Sequence, residues 1–332
     1  MKNFKFLLRI FKSSSIKTLL DISKKISKEK NKMRLFIIID MIYCGIVYGA
    51  AFHDYQEFEF YNLNRKQRKT YLTRGINNKI VNLYNNKEYW EIFNDKTKFN
   101  DLFKDFIKRD TINLNNCSLE EFKNFTKNKD KIIVKPNCGE GGKGISIIDL
   151  KDKNIKNLYE ELIENKTTLV EELIKQHEKL NKLYDKSVNS LRMFTFQHDN
   201  KAYFLQAILK IGNGGIVDNF SSGGMYTFAD ENGFIITPAI DRKDDIYEIH
   251  PVSKCNIVEF EVPFFKEAVE LVKKASFKVP EVGYIGWDVA ITDKGPIIIE
   301  GNCYPGVFQI KPSLSKEKIG ILKKYKEVMK IK

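Results

Sequence analysis

Histidine is scarce in this chain: four residues in 332, none in H-E-x-x-H spacing. That excludes the helical zinc-protease arrangement. Cysteine is scattered and odd in number, at Cys44, Cys117, Cys138, Cys255 and Cys303, with no C-x-x-C pair. The spacing excludes a zinc knuckle and a disulfide framework and points to a reducing compartment, the cytoplasm. There is no G-x-S-x-G and no paired Cys and His, so no nucleophilic Ser or Cys is read. Internal repeats are lacking, as is any nucleic-acid recognition motif. No segment reads as a signal peptide, because the first residues are basic throughout and no cleavage site follows. The most hydrophobic window, Leu35 to Phe52, contains Asp40 and two glycines. A charge near the centre of a span is costly, so a buried helix is expected there and no transmembrane segment.

Lysine is what the chain has in excess. The formal charge of +13 suits a polyanionic partner: nucleotide phosphates, acidic glycans, a membrane surface or nucleic acid. Lys, Asn and Ile are abundant everywhere, so part of that charge is compositional, and no nucleic-acid partner is expected. A 42% hydrophobic fraction with 24 Phe implies a globular chain with a sizeable core in two or three lobes. Residues 1–34 carry eleven Lys or Arg and two acids. Phe4, Leu7, Leu8 and Phe11, then Ile16, Leu19 and Leu20, fall at helical spacing. Two readings stand: a basic helix lying on the inner face of an anionic membrane, or one packing its stripe on the body. The helix-spaced aromatics of residues 53–130 read as core. The expected division is a helical portion 1–95, lobes 96–170 and 171–312, and a Lys-rich terminal helix 313–332.

One stretch, Gly283 to Gly306, organises the rest. Gly286 to Ile291 and Ile297 to Asn302 read as strands joined by the turn residues Thr292-Asp293-Lys294-Gly295-Pro296. Pairing about Lys294 sets Asp288 opposite Glu300, and strand alternation adds Asn302 to the same face. Two carboxylates and a carboxamide are hard oxygen donors suited to Mg²⁺. A solvated hairpin face with an ordinary Asp and Glu is the competing reading.

Upstream, the strand Ile132 to Lys135 stops at Pro136. A glycine-rich loop with Gly139, Gly141, Gly142 and Gly144 follows, then the strand Ile145 to Ile148. The loop matches G-x-G-x-x-G, but a strand follows it where a dinucleotide site needs a helix. Gly144 after Lys143 rules out a Walker A loop, and no H-R-D or D-F-G accompanies it. A flap remains, whose backbone N–H groups can approach phosphates closely, with Lys135 as an added cation. A plain hairpin turn is the alternative. Strands are also expected at Thr168 to Val170, Leu191 to Gln197, Ala202 to Ile211 and Met225 to Ala229, with helices at Leu158 to Asn165 and Phe264 to Ser276.

Val134-Lys135-Pro136 with its flap, Val170-Glu171-Glu172-Leu173-Ile174, Gly286-Trp287-Asp288 and Glu300-Gly301-Asn302 resemble the ATP-grasp superfamily in order and spacing. Asp54-Tyr55, Ser187 to Arg192 and Val217 to Gly224 look most like its sugar-transfer-associated group, related to glutamate-ligase-like enzymes. The resemblance covers roughly residues 35–312. It implies an α+β fold, with two lobes clasping ATP behind a helical N-terminal portion. It assigns the ATP phosphates to Lys135 and the glycine flap, and the earlier nucleotide lysine to Lys96 or Lys98. Glu171 would read the adenine amino group, with Glu172, Leu173 and Ile174 as the adenine hinge and Glu172 or His177 at the ribose. Mg²⁺, or Mn²⁺ in its place, would sit on Asp288, Glu300 and Asn302. Arg192 and Lys210 would face phosphate and acyl-phosphate oxygens, with Asn219 over the γ-phosphate. Ser222 departs from the basic residue that related ligases often place before the Gly-Gly of that loop.

The expected activity is ATP-dependent ligation of a small-molecule or sugar carboxylate to an amine, through an acyl phosphate, in surface-polysaccharide or glycoconjugate modification. Such chemistry needs charge neutralisation and in-line positioning more than a protein nucleophile. A kinase on the same lobes and a non-catalytic nucleotide-binding protein are the alternatives.

Overall fold

The computed structural model describes residues 16–136, 144–215 and 223–331. Gly139, Gly141, Gly142 and Asn219 lie outside the described residues, as does the stripe from Phe4 to Phe11. Two compact units divide the chain: Met1–Tyr84 with Pro305–Lys332, and Asn85–Tyr304. The ends of the second unit lie at 85 and 304, beside the expected divisions near 95 and 312. The two expected lobes fall within one unit.

The first unit is helical. Helix α1 (Ile16–Lys30) buries Leu19, Ile22 and Ile26, and packs on α2 (Arg34–Tyr48). Helix α2 ends where Gly49 turns left-handed at φ +65. Asp40, the charge inside the apolar window, is held by Nη1 and Nη2 of Arg68 at 2.7 Å and by the Tyr55 hydroxyl at 2.7 Å. The expectation of a buried helix is half right. Ile37, Met41, Cys44 and Tyr48 are buried, while the opposite side is open to solvent. The helix is apolar on both sides, and among the described residues only one side is packed. Helix α3 (Arg74–Tyr84) completes the front.

The C-terminal segment returns to these helices. The Gln309 amide spans Leu72, accepting its N–H at 2.9 Å and donating to its carbonyl at 2.7 Å. Gly320 lies so close to residues 70 and 71 that an added Cβ would stand 2.6 Å from the Tyr71 Cα. Those ties interrupt the expected terminal helix, which forms only over Leu322–Val328.

The second unit carries two antiparallel sheets. The smaller has strand order β1-β4-β2-β3, formed by β1 (Thr111–Asn113), β2 (Lys131–Lys135), β3 (Ser146–Asp149) and β4 (Leu169–Glu172). Strands β2 and β3 pair antiparallel through Val134 and Ser146, so the glycine-rich segment connects hairpin neighbours as read. Leu158 and Leu162, from the helix Ile155–Glu164, join Ile132, Val134 and Val170 in this sheet's core.

The larger sheet has order β11-β10-β5-β6-β7-β8-β9. It comprises β5 (Leu191–His198), β6 (Lys201–Ile211), β7 (Met225–Ala229), β8 (Ala239–Asp241), β9 (Ile246–Tyr247), β10 (Tyr284–Thr292) and β11 (Gly295–Asn302). Helix Phe265–Ala275 buries Phe265, Ala268, Val272 and Ala275, a helical stripe that packs with the sheet core. Ile285, Trp287, Val289 and Ile291 belong to that core. Alternation then puts Gly286, Asp288 and Ala290 on the other face. The short strands β1, β8 and β9 were not foreseen, because two or three residues give no readable period.

Candidate active site

The hairpin β10–β11 forms as expected, though its register is set differently. Thr292 pairs with Gly295 and Val289 with Ile298, so a regular ladder would put Asp288 opposite Ile299. A bulge falls at that step, and Asp288 faces Glu300, with Gly286 opposite Asn302. Asp288, Glu300 and Asn302 thus share one face. Gly301, between the two donors of β11, lies under Phe93 and Phe99, where an added Cβ would come within 2.9 Å of the Phe99 ring. Trp287 beside Asp288 is fixed by its indole N–H, which donates to the Thr195 hydroxyl at 2.8 Å.

Two cations from neighbouring strands converge on Asp288. Arg192, its cross-strand partner, donates Nε to Oδ1 and Nη2 to Oδ2, the latter at 2.9 Å. Lys210 donates Nζ to Oδ2 at 2.9 Å. Burial alone would raise the Asp288 pKa, but Arg192 and Lys210 hold it well below the carboxylate range. Glu300 moves the other way. Although the residue is open to solvent, desolvation of its carboxyl and the charge of Asp288 push its pKa up. Neighbouring carboxylates of this kind favour a cation between them.

The donor set fits a hard divalent cation. It comprises two carboxylates and the Asn302 oxygen, which accepts the Tyr304 N–H at 2.8 Å and retains a second lone pair. Among the described residues no group of three or more His, Cys, Asp or Glu is placed to hold a metal. The remaining coordination sites would fall to water and phosphate, the usual arrangement for Mg²⁺.

A second polar cluster centres on Glu171 of β4. Lys135 Nζ lies 2.6 Å from Oε2, Arg109 Nη2 3.0 Å from the same oxygen, and Asn100 Nδ2 3.0 Å from Oε1. Burial would raise the Glu171 pKa, but Arg109 and Lys135 bring it down to about 2. Lys135 and Glu171 therefore form one buried pair. Arg109 also donates to the Ile298 carbonyl at 2.8 Å and the Ile299 carbonyl at 3.3 Å, the two residues at the β11 bulge. One guanidinium thus ties the smaller sheet to the backbone that presents Glu300. Neither Arg109 nor Asn100 was singled out from sequence. A signal existed: the chain has eight arginines against 48 lysines. Four of those arginines, Arg68, Arg74, Arg109 and Arg192, pair with Asp40, Asp54, Glu171 and Asp288.

Glu172, Leu173 and Ile174, the expected hinge, line a cavity of about 380 Å³ with Arg109, Ile297 and Asp293, a volume in the range of small-ligand sites. Glu172 is exposed, and its carboxylate accepts the Asp110 N–H at 3.3 Å. His177 caps the helix Glu178–Leu183 by accepting the Lys179 N–H at Nδ1, and its ring sits edge-on to Phe264 at 5.7 Å. Lys96 reaches the Pro136 carbonyl at 3.4 Å, beside the glycine-rich segment, whereas Lys98 pairs with Glu91 at 2.6 Å.

This α+β unit, built on two antiparallel sheets with a carboxylate-bearing hairpin in the larger one, has the ATP-grasp fold. A family model described as sugar-transfer associated ATP-grasp matches residues 75–321, and the chain belongs to that family. No curated protein matches the chain. Similar solved structures include the D-cycloserine synthetase DcsG, at 13% identity over 76% of this chain and 75% of that one, with a TM-score of 0.43. D-alanyl-alanine synthetase A from Vibrio cholerae follows at 14% over 71% and 63%, with a TM-score of 0.41. The ATP-grasp ligase PsnB, complexed with its minimal precursor, matches at 14% over 67% and 56%, with a TM-score of 0.40. The chain thus spans less than two thirds of the PsnB and Vibrio cholerae proteins. Among the described residues no helix is long and apolar enough to cross a membrane.

Proposed function

We propose that the protein is an ATP-dependent carboxylate–amine ligase that works through an acyl phosphate. The observation that carries this reading is the shared face of Asp288, Glu300 and Asn302, with Arg192 and Lys210 at its edge. Mg²⁺ on those oxygens would neutralise phosphate charge during transfer. Lys135, Lys96 and the glycine-rich segment with Gly139, Gly141 and Gly142 bind the ATP phosphates. The hinge Glu172–Ile174 takes adenine in the 380 Å³ cavity. Glu171 holds Lys135 and Arg109 in place beside it. Arg192 and Lys210 turn from Asp288 to the oxygens of the transferred phosphoryl group and of the acyl phosphate, and the resemblance assigns the γ-phosphate to Asn219 as well. The carboxylate attacks the γ-phosphorus and ADP leaves. The amine then attacks the acyl carbon, and phosphate leaves. The family's sugar-transfer association supports a sugar acid or amino sugar as substrate, in surface-polysaccharide or glycoconjugate modification.

The test is incubation with ATP, Mg²⁺ and a panel of sugar acids, with and without amines. Phosphate release that needs both acid and amine, with an amide found by mass spectrometry, is the expected result. A stable phosphorylated product that forms without amine would replace the ligase with a kinase.

A further inference from the structure

Among the described residues nothing packs on the outer side of helix α2. Leu35, Phe36, Ile39, Tyr43, Ile46 and Val47 are between 37% and 65% exposed. At 3.6 residues per turn they fall within one arc of roughly 120°, along about 18 Å of helix. No charged residue of α2 falls inside that arc. Asp40 borders it, with its charge answered by Arg68. Exposed apolar side chains so grouped mark a contact surface.

Val47, at the end of this face, also lines a cavity of about 250 Å³. Arg68, Lys69, Lys79 and Lys326 line it as well, and no carboxylate does. Lys69, Lys79 and Lys326 are exposed and make no ion pair among the described residues. An apolar strip thus runs into a cation-lined recess within one unit. The two features suit different parts of one partner, acyl chains for the strip and phosphate for the recess.

We infer that α2 and this recess form a docking surface for a bilayer bearing anionic headgroups. A second copy of the chain fits less well. A two-fold pairing about the middle of the strip would cover the apolar residues but set each lysine recess against the Arg34 end of the other helix, which offers it no carboxylate. An anionic bilayer satisfies both features, with burial of apolar area and roughly 1 kcal/mol for each lysine near the surface. The chain needs no spanning helix for this.

The experiment is sedimentation of the full chain with vesicles of three parts phosphatidylcholine to one part phosphatidylglycerol, against phosphatidylcholine alone. Two variants accompany it, Phe36→Ser with Ile39→Ser, and Lys69→Ala with Lys79→Ala and Lys326→Ala, each checked for an unchanged thermal melt. All five positions are exposed, so both proteins should fold. Binding to the anionic vesicles only is expected, falling at least about tenfold in each variant and in high salt. Three results would overturn the inference: no binding by the parent chain, binding equal in parent and variants, or a concentration-dependent dimer that Phe36→Ser with Ile39→Ser dissolves.

Discussion

Glu171 and Glu300 belong to the same unit, and their surroundings push them in opposite directions. Glu171 is enclosed by Lys135, Arg109 and Asn100, and its pKa falls to about 2. Glu300 is desolvated beside Asp288, whose own cations are already committed, and its pKa rises. One carboxylate has its charge answered by the fold. The other leaves a charge for something that binds. The contrast separates a carboxylate whose charge the fold answers from one whose charge it opposes, a distinction that an ordered motif of acids and lysines does not make.

Glu300→Gln is the sharpest way to break this contrast. On the proposed function it removes a Mg²⁺ ligand, and it also relieves repulsion with Asp288. Loss of ATP-dependent turnover by about 10²- to 10³-fold is expected, with a melting temperature equal to or above that of the parent. The pH dependence has a definite sign. A carboxyl whose pKa is raised on folding contributes stability that is present below its ordinary value of 4.5 and lost as pH rises through its folded value. Thermal melts across that range should show the decline in the parent and a flatter profile in the variant. A fall in melting temperature with activity retained would make Glu300 a structural residue.

Glu171→Gln should do the reverse. It strands the buried cations of Lys135 and Arg109, at a cost of about 3–5 kcal/mol in denaturant unfolding. Here the pKa is lowered on folding. The stabilisation is complete above the ordinary value of 4.5 and lost as pH falls through about 2. Acid titration of unfolding should show that loss in the parent and its absence in the variant. A stable Glu171→Gln protein with a specific defect in adenine recognition would favour the adenine-reading role that the resemblance implies.

Arg109→Lys tests the link between the two regions with a smaller effect. An ammonium cannot keep both the Glu171 contact and the two bulge carbonyls, so a loss of about 1–3 kcal/mol is expected. If the guanidinium also sets Glu300 through the bulge, the Mg²⁺ concentration for half-maximal turnover should rise more than the KM for ATP. Equal changes in both would confine Arg109 to stability.

What the sequence made legible follows the same division. The Asp288–Glu300 face could be read because alternation in a hairpin is a strong rule, and Ile297-Ile298-Ile299 marked a buried strand. The register came out right by a different route: the turn is shorter by one residue than a pairing about Lys294 implies, and the bulge at Ile299 restores the opposition. The long strands β5, β6 and β7 were legible from their periodicity. Arg109 was not, because its partners lie 62 and 189 residues away and no local pattern announces them. Nor was the shortened terminal helix, which is decided by contacts of Gly320 and Gln309 with residues 70–72. The open side of α2 was missed for a related reason, since an apolar window shows what can be buried and not what is covered.

The smallest effect separates two lysines that the sequence left equivalent. Lys96 reaches toward the glycine-rich segment, while Lys98 is spent on an exposed pair with Glu91. Exposed pairs contribute little to stability, and a lysine turned to solvent adds nothing to phosphate binding. Lys98→Ala should therefore leave both the melting temperature and the KM for ATP unchanged. Lys96→Ala should raise that KM by about fivefold or more, as the loss of one phosphate contact of roughly 1 kcal/mol requires. Equal effects from the two would mean that the contact with Pro136 does not report the nucleotide side of the protein, and the assignment of Lys96 would be withdrawn.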